Sequence, residues 1–225
     1  MRSLSLLFSS LLFFAGNGFA QSLKDSASII QVRKEPRHHL VLDNEWVRIL
    51  DVHLPPGDTS LYHKHTTPSI FLVLSNTKTG AQALIEPRKR SFNHESIWFE
   101  DFTDTPRIHR VWNEDKIDFH TIDIELPHEP SGKFNANATV PNSKLLFDEK
   151  RARAYRLTMP AGTSFSFDGL PTPIVVVGLS GPNATGTVNG KAFREKGDYI
   201  FVPAGTGFSV SNGTANAEFA VFLIK

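Results

Sequence analysis

From Val47 onward, apolar residues come in short β-branched and aromatic runs at 47–54, 70–74, 81–85, 97–99, 108–112 and 119–126. Gly, Pro, Asn and Asp separate the runs. None keeps an apolar period of 3.6 residues over three turns, so no amphipathic helix is expected. Strands at this spacing predict an all-β sandwich or barrel. A polar stretch at 127–143, rich in Asn, Pro, Gly and Lys, interrupts the pattern and reads as a linker. Strand-like runs resume at Lys144 and continue to the end.

The pattern repeats. A shift of 105 residues lays Val52, Leu54, Pro55 and Gly57 on Leu157, Met159, Pro160 and Gly162. The same shift, without a gap, lays Thr67-Pro68 on Thr172-Pro173 and Leu74-Ser75 on Leu179-Ser180. A shift of 99 lays Asn113 on Asn212, so the second copy has a loop six residues shorter. Two copies of one all-β unit is the economical reading.

Residues 1–20 read as a secretory signal: Arg2 begins them, an apolar stretch from Leu4 to Ala15 follows, and Gly18-Phe19-Ala20 supplies small residues before a cleavage site at Gln21. Ser9, Ser10, Gly16 and Asn17 interrupt the run, which argues against a membrane-spanning helix. The expected organisation is thus a signal at 1–20, a first unit at 21–126, a linker at 127–143 and a second unit at 144–225, in a secreted or periplasmic protein. Loss of Arg2 leaves 23 basic against 23 acidic residues, interspersed. That balance points to no nucleic-acid partner and, after cleavage, no membrane partner. The chain has no cysteine, which excludes disulfides, thiolate ligands and a cysteine nucleophile.

One constellation suggests chemistry. In His63-Lys64-His65 a strand would turn both imidazoles to one face and Lys64 to the other. A His-x-His pair is weak on its own. A third histidine, His109, stands on a later strand, with Asn113 four residues beyond it.

Gly57, His63, His65, His109 and Asn113 resemble the two signature motifs of the cupin superfamily: Gly, five residues, His-x-His, three or four residues, Glu, and later His, three residues, Asn. With the second copy included, the resemblance covers nearly all of the chain after residue 20. It implies two antiparallel jelly-roll β-barrels in tandem, with His63, His65 and His109 binding a divalent metal inside the first. The chain departs from the pattern twice. Ser69 stands where the family has its Glu ligand, so the site has three imidazoles and no carboxylate. That set disfavours hard Mn²⁺, leaves Zn²⁺, Fe²⁺, Ni²⁺ or Cu²⁺, and keeps positions open for water or substrate. In the second copy the matching positions are Asp168, Leu170 and Phe208, so one ion per chain is expected and the second unit reads as structural or interface-forming.

Around this centre, Glu95, Glu100 and Asp101 are candidates to replace the missing carboxylate, and His120 is a candidate additional inward group. Tyr62 and Trp112 are expected as walls, and Arg107 shares the strand face of His109 if that strand is regular, where it would suit an anionic ligand. The other histidines, His38, His39, His53, His94 and His128, read as surface or core residues. Two functions fit. One is a metalloenzyme of oxygenase, lyase or hydrolase type acting on a small polar or anionic molecule; the other is a non-catalytic ligand-binding or structural protein. A small-molecule ligand or substrate is the expected partner, and a homodimer is compatible with the sequence.

Overall fold

A computed structural model describes residues 29–130, 134–135, 138–181 and 186–225; the expected signal at 1–20 lies outside them. Among the described residues the chain is almost wholly strand and turn, and no helix is long and apolar enough to cross a membrane. The first half contains β1 (Ile30–Gln31), a 3₁₀ turn (Val32–Lys34), β2 (His38–Asp43), β3 (Arg48–Leu54), β4 (His63–His65), β5 (Ser69–Val73), β6 (Thr77–Ala83), β7 (Lys89–Asn93), β8 (Ser96–Glu100), β9 (Arg107–Asn113) and β10 (Phe119–Glu125). The second contains β11 (Ser143–Asp148), β12 (Ala152–Met159), β13 (Ser164–Phe167), β14 (Ile174–Gly178), β15 (Gly186–Val188), β16 (Lys191–Phe193), β17 (Tyr199–Val202), β18 (Phe208–Asn212) and β19 (Ala217–Ile224).

These strands form four open sheets, ordered β1-β4-β9-β6-β7 and β2-β3-β10-β5-β8 in the first half, and β11-β12-β19-β14-β17 and β13-β18-β15-β16 in the second. The order is the same in both halves, apart from β1, which has no counterpart among the described residues. The turn after β3 also recurs after β12. Gly57 and Gly162 both have positive φ, 79° and 69°, which a residue with a Cβ adopts only at a cost. Asn113 Nδ2 donates to the carbonyls of Leu54 and Ile117, both at 2.8 Å. Asn212 Nδ2 donates in the same way to Met159 at 2.9 Å and Ala215 at 2.7 Å. Asn113 is therefore a clamp joining a strand end to a turn.

Alternation along the strands creates two kinds of interior. On β10, Ile122 and Ile124 face outward and meet Ile49, Ile70 and Leu72. Ala152, Ala154, Val175, Val177, Ala220 and Phe222 from the second half close this core from the other side. The β2-β3-β10-β5-β8 and β11-β12-β19-β14-β17 sheets thus lie face to face across an apolar seam. Burial of each large side chain there contributes roughly 1.5–3 kcal/mol. The opposite face of the first sheet carries a smaller cluster, Leu50, Val52, Leu54, Val73 and Phe119, against which Val111 packs from the other sheet of that half. The candidate site lies in the space beside this cluster.

The strand expected at 81–85 begins earlier, at Thr77, and ends at Ala83; Ile85 is 90% exposed in a turn. Strands β2 and β7 lie at sheet edges and are largely exposed, and so lack the apolar alternation that marks a buried strand.

Candidate metal centre

The short strand β4 holds His63 and His65 on one face, and its antiparallel pairing with β9 places His109 directly opposite His63. One ligand nitrogen from each of the three imidazoles lies within 4.8 Å of the others. His65 Nε2 and His109 Nε2 are 3.2 Å apart, near the separation that two nitrogens take when each binds one ion at about 2.0–2.1 Å. His63 Nδ1–H donates to the Leu61 carbonyl at 2.9 Å, which leaves Nε2 free to act as ligand. Burial drives all three imidazoles toward the neutral form: His63 falls to about 3, and His65 and His109 lie well below the ordinary histidine value, with the neighbouring imidazoles adding to the effect. Neutral, lone-pair-bearing rings are the form a metal requires.

Asp123 supplies the next element. It is buried on β10, neither carboxylate oxygen has a hydrogen-bond partner, and His65 Nδ1 beside it also lacks one. Asp123 Oδ2 and His65 Nδ1 are 3.5 Å apart. Burial and the charge of Glu125 push the Asp123 carboxyl well above the usual carboxylate range. Orphaned buried groups of this kind are costly. An ion on His65 Nε2 would fix the ring proton on Nδ1, facing Asp123, and give both orphans their partner. The residues present therefore fit a divalent ion.

The imidazoles open on a cavity of about 280 Å³ between the two sheets of the first half. Phe71, Trp98 and Phe119 form apolar walls, Ser60, Thr79, Asn93 and Thr121 add hydrogen-bonding groups, and Lys89 and Arg107 contribute positive charge. Phe71 and Trp98 stack with centroids 5.2 Å apart. Mixed apolar walls with a few convergent polar groups are the usual makeup of a small-molecule pocket.

No family model matches the sequence, and no curated protein matches it either. Solved structures do. A cupin 2 conserved barrel domain protein from Leptotrichia buccalis is 16% identical, with a TM-score of 0.51 over 83% of this chain and 87% of that one. The bacterial pirin YhhW from Escherichia coli, in complex with nickel(II), is 14% identical, with a TM-score of 0.58 over 83% and 89%. Salicylate 1,2-dioxygenase from Pseudoaminobacter salicylatoxidans, in its gentisate adduct, is 12% identical, with a TM-score of 0.57 over 91% and 78%. The chain has the cupin fold.

Within this fold, the residues singled out from sequence separate into two groups. Arg107 lines the cavity with His109, as a regular strand requires, and its Nη1 donates to Glu100 at 2.7 Å. Ser69 is fully buried and donates to the Thr67 carbonyl at 3.1 Å. Glu100 is thus committed to Arg107, Glu95 is paired with Lys196 of the second half, and Asp101 accepts from the Thr103 amide. None of the three acids joins the imidazoles. His120 shares the face of Ile122 and Ile124 and points away from the cavity, onto Asp51. Tyr62 and Trp112 do not form walls: alternation turns them outward, where Arg110 lies over Tyr62 and Arg88 over Trp112.

In the second half, Asp168 is exposed, Phe208 is buried, and Leu170 packs on an apolar cluster. The register there opposes Phe208 to Phe167, one residue before Asp168.

Two contributors were missed by sequence reasoning. Asp123 was visible only as the polar position between Ile122 and Ile124. His38, read as a surface or core residue, lies on β2, lines the cavity, and places its ring 4.6 Å from that of His63. Its Nδ1 pairs with Glu35 at 2.7 Å. Burial raises the Glu35 carboxyl, but His38 and the amides of Leu61 and Arg37 outweigh that and hold it at about 2.

Proposed function

We propose that this chain is an exported metal-binding protein of two jelly-roll barrels, in which His63, His65 and His109 hold one divalent ion against a cavity that takes a small anionic molecule. The observation that carries the reading is the convergence of three neutral imidazoles, His63 and His65 buried and His109 half-buried, at the wall of that cavity. The ion is of the imidazole-preferring group, Zn²⁺, Fe²⁺ or Ni²⁺ rather than Mn²⁺; the nickel(II) complex of the pirin YhhW is a precedent within the fold.

When bound, such an ion supplies Lewis acidity and a means of activating water or oxygen. The surrounding side chains do the rest. Arg107 and Lys89 line the cavity while paired with Glu100 and Glu86, so a carboxylate or similar anion competes with those acids for them, and Phe71, Trp98 and Phe119 favour a flat or apolar body behind it. With an ion on His65 Nε2, Asp123 would hold the orientation of that ring. The gentisate adduct of the dioxygenase is an example of an aromatic anion bound within this fold.

The test begins with metal content of the protein isolated from its native compartment, followed by titration of the loaded protein with small aromatic and aliphatic carboxylates. Oxygen uptake on addition of a carboxylate would identify an oxygenase; saturable binding without turnover would identify a binding protein. Protein that takes up neither metal nor anion through these residues would refute the reading. An N-terminus at Gln21 in the mature form tests export.

A further inference from the structure

Strands β3 and β10 pair in register, with His53 opposite His120 and Asp51 opposite Ile122. Val52 and Thr121 line the cavity, so alternation turns Asp51, His53 and His120 to the other side of the sheet. There the two imidazoles stack, with centroids 4.1 Å apart and planes 19° from parallel. Both aim Nε2 at a single acceptor: Asp51 Oδ1 is 2.8 Å from His120 Nε2 and 3.3 Å from His53 Nε2. On its far side, His53 Nδ1 pairs with Asp118 Oδ2 at 2.5 Å.

We propose that Asp51, His53 and His120 form a second divalent-cation site, separate from the three-imidazole centre. Their ligand atoms lie within 4.8 Å of one another, and two nitrogens and one carboxylate oxygen on one side leave the remaining positions to water. Asp118 holds His53 from behind, as a carboxylate holds a metal-bound imidazole. Charge matches as well: Asp51 and Asp118 together balance a divalent ion, whose binding displaces the proton that these carboxylates favour on His53. The strands fix the ligands at backbone level. Gly197 of the second half buttresses His120, for a Cβ there would stand 2.7 Å from His120 Cε1. The site is reachable from solvent, since the side chains of His53 and Asp51 are 37% and 32% exposed. Two nitrogens and an oxygen suit Zn²⁺, Ni²⁺ or Cu²⁺ above Mg²⁺ or Ca²⁺. The expected stoichiometry is therefore two ions per chain, not the one that the histidine motif alone implies.

The test titrates the full-length, chelator-stripped protein with cobalt(II), read by its visible absorption, and with zinc(II), read by calorimetry. Wild type should bind two equivalents. A His63→Gln/His109→Gln variant should retain one, and an Asp51→Asn/His120→Gln variant should retain the other. Asp118→Asn should weaken the outer equivalent about 10- to 100-fold and leave the inner one alone. Circular dichroism checks that each variant is folded. If the inner-site variant is folded and binds no cation, the outer cluster is only a proton-held network of histidines and aspartates, and the proposal fails. If wild type binds one ion that survives loss of His63 and His109, the outer site stands and the proposed inner centre is wrong.

Discussion

Strands β10 and β19 hold the same central place in their sheets, and the registers of β3 with β10 and β12 with β19 match them residue for residue. Facing the seam, both are apolar: Ile122 and Ile124 on one, Ala220 and Phe222 on the other. Facing inward they differ completely. Thr121, Asp123 and Glu125 in the first half correspond to Phe219, Val221 and Leu223 in the second. Arg48 and Arg153 are likewise equivalent, yet Arg48 pairs with Glu125 at 2.6 Å, while Arg153, opposite Leu223, turns to Asp148 at 2.8 Å. One half is filled mainly with apolar side chains, and the other keeps a polar chamber around a fully buried carboxyl, Asp123, that makes no hydrogen bond. Polar groups without partners cost stability. A chamber of that kind persists in a fold when something it binds, or does, offsets the cost, and the well-filled half shows that the same strand order has a cheaper solution.

The sharpest way to break this contrast is at the imidazoles. His63→Ala/His109→Ala should weaken ion binding at the inner centre by at least about 10³-fold, equivalent to about 4 kcal/mol, in competition with a chromophoric chelator. Phe208→Ala, at the matching position of the second half, should leave that affinity unchanged. Stability should show the reverse asymmetry. Phe219→Ala, in the filled interior, should cost about 3–5 kcal/mol in urea unfolding. At the equivalent position, Thr121→Ala should cost about 1 kcal/mol, the loss of one hydrogen bond to the Leu72 carbonyl.

Acid should attack the first half through Glu35. Its folded-state value of about 2 lies below the ordinary 4.5, so its contribution, roughly 3 kcal/mol at most, is fully present above pH ~4.5. It is lost as the pH falls from there toward 2. Glu35→Gln should flatten the stability profile across that window; an unchanged acid limb would show that the Glu35 network does not anchor β2. A smaller effect is expected at Asp123. Asp123→Asn should reduce inner-site metal affinity about 10- to 100-fold and leave the metal-free protein no less stable, because the carboxyl it replaces meets no hydrogen-bond criterion there and burial penalises its charge. A less stable metal-free variant would mean that Asp123 serves packing and not the ion.

The all-β character and the repeat were legible because each rests on a short-range signal: alternation within a strand, and turn residues at a fixed offset. The convergence of His63, His65 and His109 was legible for the same reason, since a His-x-His strand needs only one partner strand to complete the set. What the sequence hid depends on which strands become neighbours. Asp123 is near His65 only because β10 folds beside β5 in the opposing sheet, and His38 reaches the cavity from an exposed edge strand whose pattern is nearly featureless. Tyr62, Trp112 and His120 were misplaced by one step of alternation. A strand has two faces, and these three residues lie on the face opposite the chamber.

The seam between the halves bears on how such a chain could change over time. The second half has Asp168, Leu170 and Phe208 where the first has its three imidazoles, and yet it is tied to the first half structurally. Here it cannot be removed cleanly, because deletion would leave Ile49, Ile70, Leu72, Ile122 and Ile124 as a naked apolar sheet face, an invitation to aggregate. The second half therefore serves as the lining of the first sheet's outer face.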